Sequence, residues 1–125
     1  MSIISTYDNF FLPADNLDTA KDFYNKKLGL DTKFDFSDKG MVAFKVGDNE
    51  PAIIISNLAN ATPAIWFTVE NVLNAYEELK QKGVQFLSEP FEIMTGLSVE
   101  FSDPFGNKLG LTDYSKMPHL RGEKK

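Results

Sequence analysis

The order of hydrophobic and polar residues predicts two helices and eight strands. Apolar residues recur at helical spacing over about residues 17–28 and 72–82, with Asn71 and either Asp15 or Asn16 in the capping positions. Alternating or short apolar runs predict strands at about residues 6–12, 31–36, 40–46, 52–56, 64–70, 84–88, 96–102 and 108–113. Each helix therefore follows one strand and precedes three.

Each predicted helix has one apolar face and ends at a glycine, which tolerates the left-handed backbone found just after a helix. Gly29 and Gly83 occupy these two positions. The apolar face of the first helix consists of Leu17, Ala20, Phe23, Tyr24 and Leu28. We expect these five side chains to pack together in the core, because they share one side of the helix.

The chain also repeats its own pattern. The first helix opens with Asn-Leu-x-x-Ala from Asn16, and the second opens with Asn-Val-x-x-Ala from Asn71, 55 positions later. A repeat of this kind indicates duplicated structural units. We expect residues 1–125 to form one domain built from two β-α-β-β-β modules. The modules cover about residues 5–56 and 64–114, joined by a linker at 57–63 and followed by a tail at 115–125.

Composition and charge narrow the classes of function. The 125 residues suit one domain, and a net charge of −5 repels phosphate backbones, which argues against nucleic-acid binding. No run of residues is apolar enough for a membrane helix, and the N-terminus does not resemble a signal peptide. Zero cysteines exclude disulfides and thiolate chemistry and fit a reducing compartment. We therefore expect a cytoplasmic protein with no nucleic-acid or membrane partner.

Two motifs resemble those of a known superfamily. The pattern from Asn16 to Gly29 resembles the first-helix signature of the vicinal oxygen chelate superfamily, and Asp103-Pro104-x-Gly106-Asn107 resembles its last-hairpin signature. This superfamily contains glyoxalase I, bleomycin- and fosfomycin-resistance proteins and extradiol dioxygenases, and the resemblance covers about residues 5–114. It implies an α+β fold in which the two modules form a cupped mixed sheet, with the helices packed outside. It also implies a homodimer, as in the drug-binding relatives.

The resemblance implies four metal-ligand positions in metal-dependent members, but this chain does not supply suitable side chains. The corresponding positions carry Asn9, Ile55, Ala64 and Gly110. Divalent transition metals need imidazole or carboxylate donors, which alkyl groups cannot replace. Moving the alignment by one residue does not restore a ligand set, and the single histidine, His119, follows the last strand. We therefore expect no metal and no cofactor.

Alternation along the strands predicts which side chains line the cup. The candidate ligand-binding residues are Tyr7, Asn9, Phe11, Ile55, Trp66, Glu100, Gly110 and Thr112. Aromatic and aliphatic walls with a few polar groups are typical of a small-molecule site. Simpler interpretations stay open, with Trp66 in the core or at an interface, Glu100 paired with Lys108, and Asn9 bonded to nearby backbone.

These observations favour a metal-independent protein that binds a metabolite or drug in the cup between the modules. A metal-independent isomerase or lyase that uses Glu100 or Tyr7 for proton transfer is the alternative. A metal-dependent glyoxalase or dioxygenase with relocated ligands, or a structural or regulatory role, ranks below both. Whether the protein catalyses any reaction stays open, and we assign no catalytic residue from the sequence.

Overall fold

Strands and helices follow one another largely as the hydrophobic pattern predicts. A computed structural model describes residues 3–47, 51–59 and 61–120, so the predicted turn at 47–51 and the end of the tail lie partly outside it. The strands are β1 (Ile4–Pro13), β2 (Thr32–Phe36), β3 (Met41–Lys45), β4 (Ala52–Ser56), β5 (Ala64–Val69), β6 (Gln85–Phe86), β7 (Phe91–Ile93), β8 (Gly96–Ser102) and β9 (Lys108–Thr112). The helices are α1 (Leu17–Lys21), which continues as a π-helix over Asp22–Lys27, and α2 (Val72–Gln81). The predicted α+β class is confirmed, and β7 is a strand that the sequence pattern missed.

The chain divides into two compact units. One comprises Asn9–Ala64, and the other comprises the residues up to Asp8 together with those from Ile65 onward. The first part of β1 therefore belongs with the second half of the chain, whereas the sequence placed the whole strand in the first module. Each unit has a hydrophobic core of its own.

In the unit Asn9–Ala64 the strand order is β2-β3-β4-β1. The β2–β3 and β3–β4 pairs are antiparallel, and β1 pairs with β4 in parallel. A parallel pair needs a long crossover connection, and the segment that contains α1 lies between these two strands. The buried core of this unit consists of Leu17, Ala20, Val42, Phe44 and Ile55.

Ile55 lies on the opposite side of its strand from the one predicted. Val42 is opposite Ile55 and Phe44 is opposite Ile53 in the β3–β4 register, and opposite residues share a face of the sheet. Val42, Phe44 and Ile55 are all buried in the core that α1 covers. The prediction that Ile55 lines the other face is therefore wrong by one residue. Residues 53–55 are all isoleucine, so hydrophobic alternation could not distinguish the two faces of this strand.

The first helix buries only part of its predicted apolar face. Leu17 and Ala20 are buried, as predicted, but Phe23 and Leu28 are 47% and 52% exposed. Leu28 follows a π-helical segment, in which its amide donates to the carbonyl of Phe23 at 2.9 Å. Because a π turn is wider than an α turn, the spacing that defines an α-helical face no longer applies there.

In the other unit β9 lies between β5 and β8, and β8 also pairs antiparallel with β6 and β7. Asn71 caps α2 by accepting a hydrogen bond from the amide of Asn74 at 2.9 Å. The helix ends before Gly83, whose φ of 91° favours glycine. The buried core consists of Val69, Val72, Ala75, Val99, Phe101 and Leu111. Neither helix of the described residues combines the length and the apolarity needed to cross a membrane.

Candidate functional site

A tryptophan lies flat against the backbone of β9. A Cβ added to Gly110 would come within 2.0 Å of Trp66 Cε2 and within 2.3 Å of Cδ2 and Cζ2. The indole of Trp66 therefore occupies the space in which any other residue at position 110 would place its side chain. This close approach explains why β9 carries a glycine in the middle of a strand, where glycine otherwise weakens the structure.

Hydrogen bonds fix the orientation of this indole. Its Nε1–H donates to Ser98 Oγ at 2.9 Å, and the hydroxyl of Ser98 donates to the carbonyl of Leu111 at 3.0 Å. Ser98 is buried and Trp66 is half-buried, so one part of the ring is anchored while another part stays accessible. The arrangement holds an aromatic surface in one position at the sheet.

Two charged side chains come from strand positions next to Gly110, the residue that the indole covers. Glu100 is opposite Gly110 in the β8–β9 register, and Lys108 comes two residues before Gly110 on the same side of β9. Lys108 Nζ lies 3.6 Å from Glu100 Oε2, and the two side chains are 28% and 29% exposed. We call the surface that carries Trp66, Ser98, Glu100, Lys108 and Thr112 the Trp66 face.

The predicted orientations on β5, β8 and β9 agree with these contacts. Trp66, Glu100, Gly110 and Thr112 lie on the Trp66 face, and Glu100 is paired with Lys108, which is one of the simpler interpretations that the sequence left open. Two of the four are not open to a ligand, however. Gly110 is covered by the indole, and Thr112 is buried with its hydroxyl donating to the carbonyl of Leu97 at 3.1 Å. Whether any of them contacts a ligand stays a prediction.

Tyr7 does not share this face. Its ring lies 5.8 Å from that of Phe67, which packs against the core beneath α2, and Phe67 points away from its neighbour Trp66 along β5. The following residue, Asp8, contacts Thr68 instead, which has the same orientation as Trp66 along β5. The predicted position of Tyr7 is therefore wrong by one residue, and Asp8 takes its place.

Asp8 belongs to a buried polar cluster that sequence reasoning missed. Its carboxylate accepts hydrogen bonds from the hydroxyl of Thr68, at 3.4 Å, and from the phenol of Tyr114. Asp8 and Thr68 are both buried, and the three residues join β1, β5 and the segment after β9. A buried carboxylate needs such donors. The signal available in the sequence was the single charged residue of this strand, whose other residues are apolar, aromatic or uncharged polar.

Asp113 is a second buried carboxylate that the sequence did not single out. It accepts from the amide of Val72 at 2.8 Å, from the amide of Leu97 at 2.9 Å, and from both the amide and the hydroxyl of Ser115. Burial raises the pKa of Asp113, but these hydrogen bonds outweigh it and lower the pKa below its usual value. Asp113 therefore joins the start of α2 to β8 and holds the sheet beneath the Trp66 face.

The last-hairpin motif is structural. The carboxylate of Asp103 accepts from the side chain of Asn107 at 2.8 Å and from the amides of Asn107 and Phe105. These bonds lower the pKa of Asp103, the bond from the Asn107 side chain most of all. Gly106 has a φ of 86°, which glycine adopts without strain. The motif therefore closes the turn between β8 and β9 and fixes the register in which Glu100 lies opposite Gly110.

The remaining predicted residues belong to the unit Asn9–Ala64. The side-chain oxygen of Asn9 accepts from the amide of Ala52 at 3.1 Å, so Asn9 satisfies backbone, as the simpler interpretation proposed. Phe11 is half-buried and lies opposite Ile54, on the face away from the core. Ligand binding by Asn9 and Phe11 stays a prediction.

Residues 6–111 match the model of the glyoxalase/bleomycin resistance protein/dioxygenase superfamily. The chain belongs to this superfamily. It is 30% identical over 97 residues to the uncharacterized protein YetH of Bacillus subtilis. These aligned residues cover 70% of this chain and 81% of YetH. The resemblance to the vicinal oxygen chelate superfamily is confirmed.

Solved structures share the fold of this chain at low sequence identity. The hypothetical protein BH1468 from Bacillus halodurans has a TM-score of 0.71 and 16% identity, over 86% of this chain and 92% of that one. The methylmalonyl-CoA epimerase from Mycobacterium tuberculosis also has a TM-score of 0.71 and 16% identity, over 90% of each chain. Similarity at this level establishes the fold and leaves the activity open.

The resemblance implies metal-dependent members, but the residues at the four positions that it assigns to metal ligands do not fit a transition-metal ion. Of the four expected ligand positions, Ile55 lies in the core, Gly110 lies under an indole, and Ala64 has no donor. In the ranges that the structure describes, no three His, Cys, Asp or Glu side chains are grouped so that they could hold a metal. No chemical step is therefore assigned to a metal here.

Proposed function

We propose that this superfamily member binds a small organic molecule on the Trp66 face, without a metal ion. The main support is the placement of Trp66, a half-buried indole held flat by Gly110 beneath it and by Ser98 at its ring nitrogen. Rigid aromatic surfaces contribute large contact areas at little cost in conformational entropy. Glu100 and Lys108 beside the ring add polar groups that can orient a ligand, as small-molecule sites require.

Catalysis by a metal-independent isomerase or lyase is the second candidate. Its support is weaker than that of simple binding, because Tyr7 lies beside Phe67 and away from Trp66. Glu100 remains on the Trp66 face as the carboxylate that could accept a proton, with Lys108 next to it. A general base must lie within hydrogen-bonding reach of the proton it removes. Turnover of a bound compound that is lost in Glu100→Gln would favour this candidate over simple binding.

The fluorescence of Trp66 gives a direct test, because Trp66 is the single tryptophan of the chain. Chelator-treated protein is titrated with a library of organic acids, amines, amino acids and acyl-CoA esters, which includes methylmalonyl-CoA because solved relatives are epimerases of that compound. We expect saturable changes in emission with at least one compound, and calorimetry to show that Trp66→Leu abolishes its binding. A library in which nothing binds, or in which binding survives Trp66→Leu, would refute the proposal.

We also propose that the protein is a homodimer in the cytoplasm. The dimer rests on the resemblance to the drug-binding proteins of the superfamily, and the compartment rests on the absence of cysteine from the sequence. Light scattering coupled to size-exclusion chromatography tests the first part. A mass equal to one chain of 14.1 kDa across the micromolar range would contradict it.

A further inference from the structure

We infer that the Trp66 face selects dipolar ligands, namely molecules with one ammonium group, one acidic group and an apolar or aromatic portion. This inference rests on the proposed binding function and adds the chemical class of the ligand. It follows from the ion pair between Glu100 and Lys108 and from its position beside Trp66.

The ion pair is loose enough to be rearranged. Its N–O distance of 3.6 Å exceeds the usual range for a hydrogen bond between an ammonium and a carboxylate, and about 28% of each side chain is exposed. Partly exposed pairs of this kind add little to protein stability. A ligand can therefore separate the two groups at low cost, and each group can then bind an opposite charge.

The strand register places both groups at the same indole. Glu100 lies directly across from Gly110, so its Cβ is about 5 Å from the position that the ring covers. Lys108 is two residues away along β9, which corresponds to about 7 Å. An apolar group stacked on Trp66 would therefore lie about 5–7 Å from the strand positions that carry an anion and a cation.

Charge balance then favours a ligand with both signs. A singly charged ligand can pair with Glu100 or with Lys108, but it leaves the other group unpaired and places a like charge next to it. A dipolar ligand replaces one ion pair with two, and an ammonium group near the ring face gains further attraction from the indole. The net charge of the site stays zero in the complex.

Three matched compounds separate these cases. Phenylalanine carries both charges, 2-phenylethylamine has only the ammonium group, and 3-phenylpropanoate has only the carboxylate, while all three share the same ring. Each is titrated into the whole chain, with Trp66 emission and calorimetry as the readouts. We expect a Kd for phenylalanine that is about tenfold lower than that of either singly charged compound.

Charge-neutralising variants identify the groups. We expect Glu100→Gln to weaken phenylalanine binding about tenfold. Among the three compounds this variant should bind 3-phenylpropanoate most tightly, because only Lys108 then carries charge. Lys108→Met should instead bind 2-phenylethylamine most tightly, because only Glu100 then carries charge. The matched controls are Glu78→Gln and Lys82→Met, since these residues form an exposed ion pair of the same 3.6 Å length at the C-terminal end of α2. The controls should leave all three affinities unchanged.

The outcomes distinguish this inference from the function on which it rests. Equal or tighter binding of a singly charged compound, or affinities that do not respond to Glu100 and Lys108, would overturn the dipolar class. If library compounds still bind at Trp66 in that case, the proposed function stands alone. If neither the library nor the three matched compounds perturb Trp66, both conclusions fail.

Discussion

Substitution of Gly110 by alanine tests the placement of Trp66. The backbone of Gly110 lies outside the left-handed region, so alanine is compatible with it, and the effect of the change is steric. The new Cβ would lie 2.0 Å from the nearest indole atom, whereas real Cβ atoms essentially never approach closer than 3.0 Å. The ring must therefore move by at least about 1 Å, since neither strand backbone can retreat without breaking the β8–β9 ladder.

The cost follows from two terms. Overpacking of this kind typically costs about 1–3 kcal/mol. The displaced ring also loses its 2.9 Å hydrogen bond to Ser98, which adds about 1 kcal/mol. We expect Gly110→Ala to lower the free energy of unfolding by about 2–4 kcal/mol, which corresponds to a fall in Tm of about 10 °C for a chain of this size. Trp66 emission should shift to the red as the indole becomes exposed.

A double-mutant cycle assigns the cost to this contact. Urea unfolding followed by circular dichroism is measured for Gly110→Ala, Trp66→Leu and the double variant. If the clash is with the indole, adding Gly110→Ala to Trp66→Leu should cost less than about 0.5 kcal/mol, so the coupling energy is about 2 kcal/mol or more. Additive effects of the two changes, or a Gly110→Ala variant with unchanged stability and emission, would refute the placement of Trp66.

Three further substitutions test the supports of the Trp66 face. Because hydrogen bonds lower the pKa of Asp113 in the folded state, its contribution to stability is complete above pH 3.8 and is lost as the pH falls through the lowered value. Asp113→Asn should lower the free energy of unfolding by about 2–3 kcal/mol at neutral pH and should reduce the loss of stability on acidification. A variant that loses stability with falling pH as steeply as the wild type would contradict this. Tyr114→Phe removes a donor to Asp8 and should cost about 2 kcal/mol in urea unfolding, and a loss under about 0.5 kcal/mol would argue against it. Asn71→Ala should lower the free energy of unfolding by about 1 kcal/mol, whereas Asn71→Asp should have a stability close to that of the wild type. Equal losses of stability in the two variants would exclude capping of α2 by Asn71.

The fold was predictable because local signals agree with the tertiary structure. The capping residues Asn16 and Asn71 and the terminal glycines Gly29 and Gly83 all lie where the sequence pattern places them. The repeat and the hairpin motif also pointed to the correct superfamily. The π-helix after α1 could not be predicted, because the extra residue in its turn has no signature in the spacing of apolar residues.

The site was predictable only where alternation is unambiguous. On β8 and β9 polar or small residues alternate strictly with Val99, Phe101 and Leu111, and the orientations there are confirmed. On β4 three consecutive isoleucines hide the alternation. On β1 the aromatic residues also obscure the alternation of apolar and polar side chains. The predicted sides of Ile55 on β4 and of Tyr7 on β1 were therefore wrong. The buried carboxylates depend on partners that are distant in sequence, and a single strand does not reveal them.

The most direct test of metal-independent binding at Trp66 is a calorimetric titration in the presence and absence of a divalent metal. Chelator-treated protein is titrated with phenylalanine, and with the best library compound, before and after addition of Ni²⁺, Zn²⁺, Mn²⁺ or Fe²⁺. We expect the same Kd in every case and no heat of stoichiometric metal binding. Tight binding of one metal per chain, with organic ligands bound only to the metal-loaded protein, would contradict it.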